Sequence, residues 1–404
     1  MNDQERLIQL AHKVNLEISR DVLPYWVKMS PDHRYGGFVG QITSQGTANT
    51  PSDKGIILNT RILWTFSAAY RTYGNKEYLD LARRSLEYLT EHFWDPRDGG
   101  VYWSVSSKGE PVDRTKYLYA QAFALYGLSE FCRAEPGTGP MEYATRLQNL
   151  IEQHCFCSDH NGYHEVFSHD WQPLNGIPLG SDELSSKFSM NTHLHLMEAY
   201  ANFYRIRPSE VLASRLQNLV RLHTEKMFDP GIGHFYGYFD QNWERTSRRY
   251  SFGHDIEAAW LLMDAARLLS DQALSNEVES VAHKIADSTL REGVDHVRGG
   301  LYNSGKLGKV INSDKEWWAQ AEAVVGFVYL WQLYEKKEYL QAAESIWDFI
   351  MNKVKDTTLG EWFFLVDADG KPYREYDKIG PWKCPYHSSR CAMELRSIFE
   401  TVSS

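Results

Sequence analysis

The sequence predicts an all-α chain folded as an (α/α)6 barrel, on the strength of three observations. A glycine followed closely by aromatic residues recurs six times, roughly every 60 to 70 residues. Between the copies, apolar residues recur at three- and four-residue spacing, as amphipathic helices require. Short links alternate with long ones, and the long links carry the glycine-aromatic mark.

About twelve helices follow, near 4–29, 57–73, 76–94, 113–133, 139–157, 186–206, 208–228, 253–270, 272–292, 315–334, 338–355 and 388–402. Breakers fall at their boundaries. Gly74-Asn75 separates the second from the third, Pro136 to Pro140 the fourth from the fifth, and Pro208 the sixth from the seventh. The marks are Gly36-Gly37-Phe38, Gly99-Gly100-Val101-Tyr102-Trp103, Gly162-Tyr163, Gly233-His234-Phe235-Tyr236, Gly299-Gly300-Leu301-Tyr302 and Gly360-Glu361-Trp362-Phe363. Glycine permits positive φ and aromatics suit a half-buried strand, so short strands or tight turns are expected there, gathered at one barrel end. Five internal hairpins leave the last helix to pair with the first and close a ring. An open solenoid is the alternative, but it needs polar, atypical end repeats. The ends here are ordinary members of the set.

No low-complexity run or Pro/Ser/Gly-rich linker divides the 404 residues, so residues 1–404 are expected to form one domain. The net charge of -10 comes from interspersed acids and bases, with no basic stripe for nucleic acid. No apolar run is long enough to span a membrane. The N-terminus leads into an amphipathic helix, and five scattered cysteines (132, 155, 157, 384, 391) point to reduced thiols and a cytoplasmic location. His154, Cys155, Cys157, His160 and His164 have the ligand types of a metal cluster but not its usual spacing, so no metal is expected. Aromatics make up 14% of the chain, with 13 Trp and 24 Tyr. Flat aromatic faces suit sugars, though a large helical core also uses them.

One helix of each pair starts just after a long link, and these starts carry the unusual residues. They hold Asn59 and Arg61; Tyr117, Tyr119 and Gln121; Asn191 and His195; His254, Asp255 and Glu257; Trp317, Trp318, Gln320 and Glu322; then Trp382, Lys383, His387 and Arg390. Helices that begin at one barrel end bring such groups into one polar, aromatic cavity, which favours a carbohydrate ligand. His193 and His195 lie two apart, so at most one faces that cavity. His254 and Glu257 are i and i+3, and a carboxylate there can fix the imidazole tautomer for general-base work. The plainer reading of that cluster is acidic residues favoured by the helix dipole. Arg61 sits in an apolar stretch, so it either faces a polar cavity or forms a buried salt bridge.

These blocks carry a resemblance. Leu58-Asn59-Thr60-Arg61-Ile62-Leu63-Trp64, Tyr117-Leu118-Tyr119-Ala120-Gln121-Ala122-Phe123, Asn191-Thr192-His193-Leu194-His195, Gly253-His254-Asp255-Ile256-Glu257, Trp318-Ala319-Gln320-Ala321-Glu322 and Gly380-Pro381-Trp382-Lys383-Cys384-Pro385-Tyr386-His387 resemble the cellobiose 2-epimerases of the N-acylglucosamine 2-epimerase superfamily. One departure is that relatives often have asparagine directly after the last histidine, where this chain has Ser388-Ser389.

The resemblance implies an (α/α)6 barrel and reversible, cofactor-free epimerisation at C2 of the reducing-end sugar of a β-1,4-linked disaccharide. Cellobiose would become glucosyl-mannose, and lactose epilactose. By the same resemblance His254 and His387 are the two bases and Glu257 tunes His254. Arg61 and His195 stabilise the oxyanion. Trp318 and Trp382 stack on the sugars, Asn191 and Asp182 contact hydroxyls, and Tyr119 and Glu322 complete the substrate set. A monomer or weak homodimer is expected. The alternatives are a monosaccharide epimerase or isomerase of the same superfamily, and an (α/α)6 glycoside hydrolase using Glu257 and Glu322 as its two carboxylates.

Overall fold

The computed structural model describes residues 2–137, 139–174, 178–181 and 185–403, with side chains to residue 398. Among them the chain forms twelve helices: α1 (3–29), α2 (Ile56–Tyr73), α3 (76–93), α4 (Leu118–Ala134), α5 (Pro140–His154), α6 (Met190–Ile206), α7 (210–227), α8 (Phe252–Leu269), α9 (272–293), α10 (Trp317–Tyr334), α11 (337–354) and α12 (Tyr386–Ser403). The even-numbered helices pack side by side in chain order, and α12 returns to α2 to close the inner ring. Each odd-numbered helix packs outside, α1 on α12 and the others on the helix before them. This is the (α/α)6 barrel. No helix among the described residues is long and apolar enough to cross a membrane.

The sequence sorts the helices between the two rings. On α10 the residues Ala319, Gln320, Ala321, Glu322, Ala323, Val324, Val325, Gly326, Phe327 and Val328 are all buried, the pattern of a helix surrounded by protein. On α7 only a stripe is buried, Leu212, Leu216, Leu219, Val220, Leu222, His223 and Met227. Each such leucine contributes about 1.5–3 kcal/mol when fully buried. Two inner glycines set how closely neighbours approach. A Cβ on Gly127 would meet the Thr60 carbonyl at 2.9 Å, and one on Gly326 the Ile256 carbonyl at 2.7 Å.

The glycine marks prove to be one repeated turn with a charge inside it. In five copies an aspartate stands four residues before the first glycine: Asp32, Asp95, Asp229, Asp295 and Asp356. The glycine N–H donates to that aspartate's carbonyl in every one of these copies. Gly99 takes φ +73°, the left-handed conformation the turn needs. Four of the aspartates pair with a buried lysine from later in the same link, Lys54 at 2.8 Å, Lys116 at 2.9 Å, Lys315 at 2.9 Å and Lys378 at 2.6 Å. Each of these ammonium groups also donates to the carbonyl of the turn glycine. Asp229 instead uses the more exposed Arg245, and the third copy has Ser158 where the aspartate would be. The residue after the glycines then bridges back, as Val101 does to Trp94.

Three inner helices start later than their periodicity predicts because strands take their place. Lys116–Tyr117, Phe188–Ser189 and Lys315–Glu316 are short strands, not first turns. Extended backbone there pairs with neighbouring links and lets Lys116 and Lys315 reach their aspartates. Serine caps two inner helices, Ser189 accepting from the Thr192 N–H and Ser251 from that of His254.

Candidate active site

The starts of the inner helices open on one cavity of about 240 Å³. Every expected site residue lines it except Glu322 and Asp182. Asp182 lies outside the described residues. Glu316, Trp317 and Phe364 complete the lining.

Arg61 is buried on α2 and donates to the Tyr119 hydroxyl at 2.9 Å and the Cys384 sulfur at 3.7 Å. Its guanidinium lies 4.3 Å from the Phe123 ring centre and has no carboxylate partner among the described residues. The salt-bridge reading of Arg61 therefore gives way to the cavity-facing one. A buried cation without a counter-ion is costly unless a ligand brings negative charge to it.

Three histidines converge on the same space. His195 Nδ1 lies 3.0 Å from Glu198, one turn along α6. His387 Nδ1 lies 2.7 Å from Glu322 of α10. An ionised carboxylate only accepts, so each pairing favours Nδ1–H and leaves Nε2 for the cavity. No protein group among the described residues bonds the ring nitrogens of His254, whose imidazole rests 4.7 Å from the Trp318 ring. Burial, reinforced by His195 and Arg61, pushes His254 down to about 3, so it is neutral. Burial with Arg61 and Arg390 also holds His387 well below the usual histidine range.

The partner expected for His254 is a correction. Glu257 faces the cavity but gives one oxygen to Arg390, and it lies 3.8 Å from His387 Nδ1. The i, i+3 spacing permitted a His254 contact, but a buried guanidinium is the stronger partner for a buried carboxylate. Burial, then Glu322, pushes Glu257 up to about 7, and its second oxygen has no partner. Glu322 is the second correction. It is buried beneath His387, held by the Trp260 indole at 3.1 Å and by Arg390 at 2.6 Å, and does not line the cavity. Glu257 and Glu322 sit side by side on one guanidinium, so they do not face each other across a sugar as a glycosidase pair would.

The tryptophans divide the remaining work. Trp318 donates its indole N–H to Glu316 and lies within 5.4 Å of the His387 ring as well as against His254. Trp382 is 39% exposed at the mouth, beside Tyr119 and Trp103. Asn191 holds an Oδ1 without a partner among the described residues.

With this geometry in hand, the sequence pattern of N-acylglucosamine 2-epimerases (GlcNAc 2-epimerases) matches residues 36–391. The chain belongs to the N-acylglucosamine 2-epimerase family. It is 43% identical over 386 residues to a cellobiose 2-epimerase of Bacteroides fragilis, covering 96% of this chain and 98% of that one. A cellobiose 2-epimerase of Dictyoglomus turgidum is 33% identical over 387 residues, with 96% and 98% covered. Among solved structures, the cellobiose 2-epimerase of Bacillus thermoamylovorans superposes with a TM-score of 0.92 at 35% identity, covering 97% of this chain and 99% of that one. This chain is accordingly a carbohydrate epimerase, an isomerase.

Two groups in this epimerase escaped the sequence reading. Glu198 received no role, although it stands i+3 from His195 on the same helix. Arg390 was noted at the start of the last helix without a function, yet it joins Glu198, Glu257 and Glu322. Among the described residues, the one group with metal-ligand geometry is Glu257, Glu322 and His387. Arg390 already occupies oxygens of both carboxylates. The segment from His154 to His164 gathers no such group, and His154 stacks on Trp171 at 4.9 Å.

Proposed function

We propose that this enzyme epimerises C2 of the reducing-end sugar of β-1,4-linked disaccharides, converting cellobiose to glucosyl-mannose and lactose to epilactose. The observation that carries the reading is a pair of neutral histidines, His254 and His387, presented by different inner helices beside the same Trp318 ring. Unpaired Arg61 supplies the positive charge beside them. The disaccharide specificity is supported by the names of the relatives at 43% and 33% identity.

The sugar ring opens first, freeing an aldehyde at C1. The carbonyl acidifies the C2 proton, which one histidine removes. Negative charge then develops on O1. The Arg61 guanidinium is preorganised for that oxyanion, and His195 lies on the same side. The other histidine, carrying a proton taken up from water, delivers it to the opposite face of the planar enediol(ate) and inverts C2; the first histidine releases its proton to water as the ring closes. The abstracting histidine must be uncharged in either direction, and burial favours that form for both. The Trp318 face holds the sugar plane between them, while Trp382 and Tyr119 flank the mouth where the second sugar emerges.

The test is incubation with cellobiose and lactose in deuterium oxide, with products separated by carbohydrate chromatography. Glucosyl-mannose and epilactose carrying deuterium at C2 are expected. Product without C2 label, or free glucose, would overturn the scheme.

A further inference from the structure

Three carboxylates meet one guanidinium under the cavity floor. Arg390 is fully buried, one turn into α12 and three residues after His387. Its Nη1 donates to Glu198 of α6, and its Nη2 to Glu257 of α8 and to Glu322 of α10, the last at 2.6 Å. Two of these carboxylates hold a cavity histidine at Nδ1, Glu198 holding His195 and Glu322 holding His387. Tyr386 also donates its hydroxyl to Glu198, at 2.5 Å. Trp260 and Tyr386 cover the guanidinium faces at 4.8 and 4.4 Å.

We propose that Arg390 is a positioning residue that fixes the tautomers of His195 and His387 by keeping the carboxylates behind them ionised. The inference deepens the two-histidine reading and rests on it for its catalytic consequence. An ionised carboxylate can only accept, so Nδ1 carries the proton and Nε2 keeps its lone pair toward the sugar. A protonated carboxyl can instead donate to Nδ1. The imidazole proton then moves to Nε2, and His387 can no longer take a proton from C2.

Charge decides between the two states. Burial alone raises all three acids, and the Arg390 charge opposes it in each. Without that charge, three carboxyl groups in a dry space lose their charge by taking up protons. The fork geometry matters as well as the charge, because one planar guanidinium reaches three helices at once.

A second void bears on the test. It has a volume of about 290 Å³ and opens at the far end of the barrel, beside half-buried Arg133 and the more exposed Arg205. Glu198 and Trp260, two groups that contact Arg390, form part of its wall. A small ion can therefore approach the Arg390 position from behind while sugar fills the catalytic mouth.

The experiment compares Arg390→Ala and Arg390→Lys with the wild type. Kinetics use cellobiose, with and without guanidinium ion. The histidine tautomers are read by long-range ¹⁵N–¹H NMR of the free enzyme. In Arg390→Ala, kcat should fall about 100-fold or more while KM changes little. His387 should move from Nδ1–H to Nε2–H. Guanidinium should restore about tenfold of the lost rate, and Arg390→Lys should fall in between. If the alanine variant does not fold, the lysine variant carries the test. A folded variant with unchanged kcat, or with His387 still in its Nδ1–H form, would overturn the proposal. The NMR measurement needs no substrate, so it fails or succeeds separately from C2 labelling in the wild type.

Discussion

Two sets of buried charges hold this barrel together, and they differ in symmetry. In the turns, Asp32–Lys54, Asp95–Lys116, Asp295–Lys315 and Asp356–Lys378 repeat one geometry around the ring. Under the cavity, Arg390 with Glu198, Glu257 and Glu322 occurs once, built from four different helices. The turn lysine neutralises one aspartate and ties a glycine carbonyl, so nothing is left to react. At the floor, one cation faces three acids, and the excess polarity is directed onto histidines. Repetition therefore marks scaffold here, and its absence marks chemistry.

The sharpest way to break this contrast is to remove a base from the asymmetric set. His254→Ala and His387→Ala should each lower epimerisation by about 10³-fold or more while the thermal midpoint stays near wild type. Stability should survive because neither imidazole completes a repeated turn. Either variant retaining full activity on cellobiose would end the two-base scheme.

The reverse experiment targets the symmetric set. Lys116→Met leaves Asp95 buried without its partner, and breaking such a pair costs about 3–5 kcal/mol. Urea unfolding should register that loss, while kcat of the remaining folded enzyme at 20 °C stays within about twofold. A variant that lost activity without losing stability would show that the turns take part in catalysis.

Glu322→Gln tests the border between the two. Its amide can accept from His387 or donate to it, so the imidazole tautomer is no longer fixed. A fall in kcat of about tenfold to 100-fold with little change in KM is expected. A rise in KM alone would return Glu322 to the substrate-contact role that its sequence position implied.

The barrel was legible in the sequence because its signal repeats. Glycine before aromatics and a 3.6-residue apolar period recur often enough to count helices and pair the ends. Arg61, His195, His254 and His387 were legible because each stands at an inner-helix start just after a long link, Arg61 within an apolar stretch. Two things were not. The aspartate four residues before the glycine is visible in five copies, but its role shows only in the fold, where four of these aspartates meet a buried lysine. Spacing along one helix proposed Glu257 for His254, whereas the contact that formed runs between helices, from α8 to Arg390 of α12. Local periodicity cannot rank a neighbour on the same helix against a stronger partner across the ring.

The smallest effect separates two histidines on a single helix. His193 and His195 stand two apart on α6 and point to opposite sides. His195 reaches the cavity, while His193 donates from Nδ1 to the Ser189 carbonyl at 2.8 Å and accepts the Tyr163 N–H at Nε2 at 3.1 Å. Burial pushes His193 down to about 3. The folded protein therefore resists a proton that the unfolded chain accepts near pH 6.5. Above that pH both states are neutral and the full contribution of His193 to stability is present. As pH falls toward 3, the unfolded state binds the proton first, and about 1.4 kcal/mol is lost per pH unit. His193→Gln keeps a donor and an acceptor but cannot titrate. Between pH 6 and 4 its unfolding free energy should fall less steeply than wild type by about that amount, with kcat at pH 7 nearly unchanged. Equal slopes in urea unfolding at pH 6, 5 and 4 would place His193 in a different role, and a large loss of kcat would move it to the catalytic side of the helix.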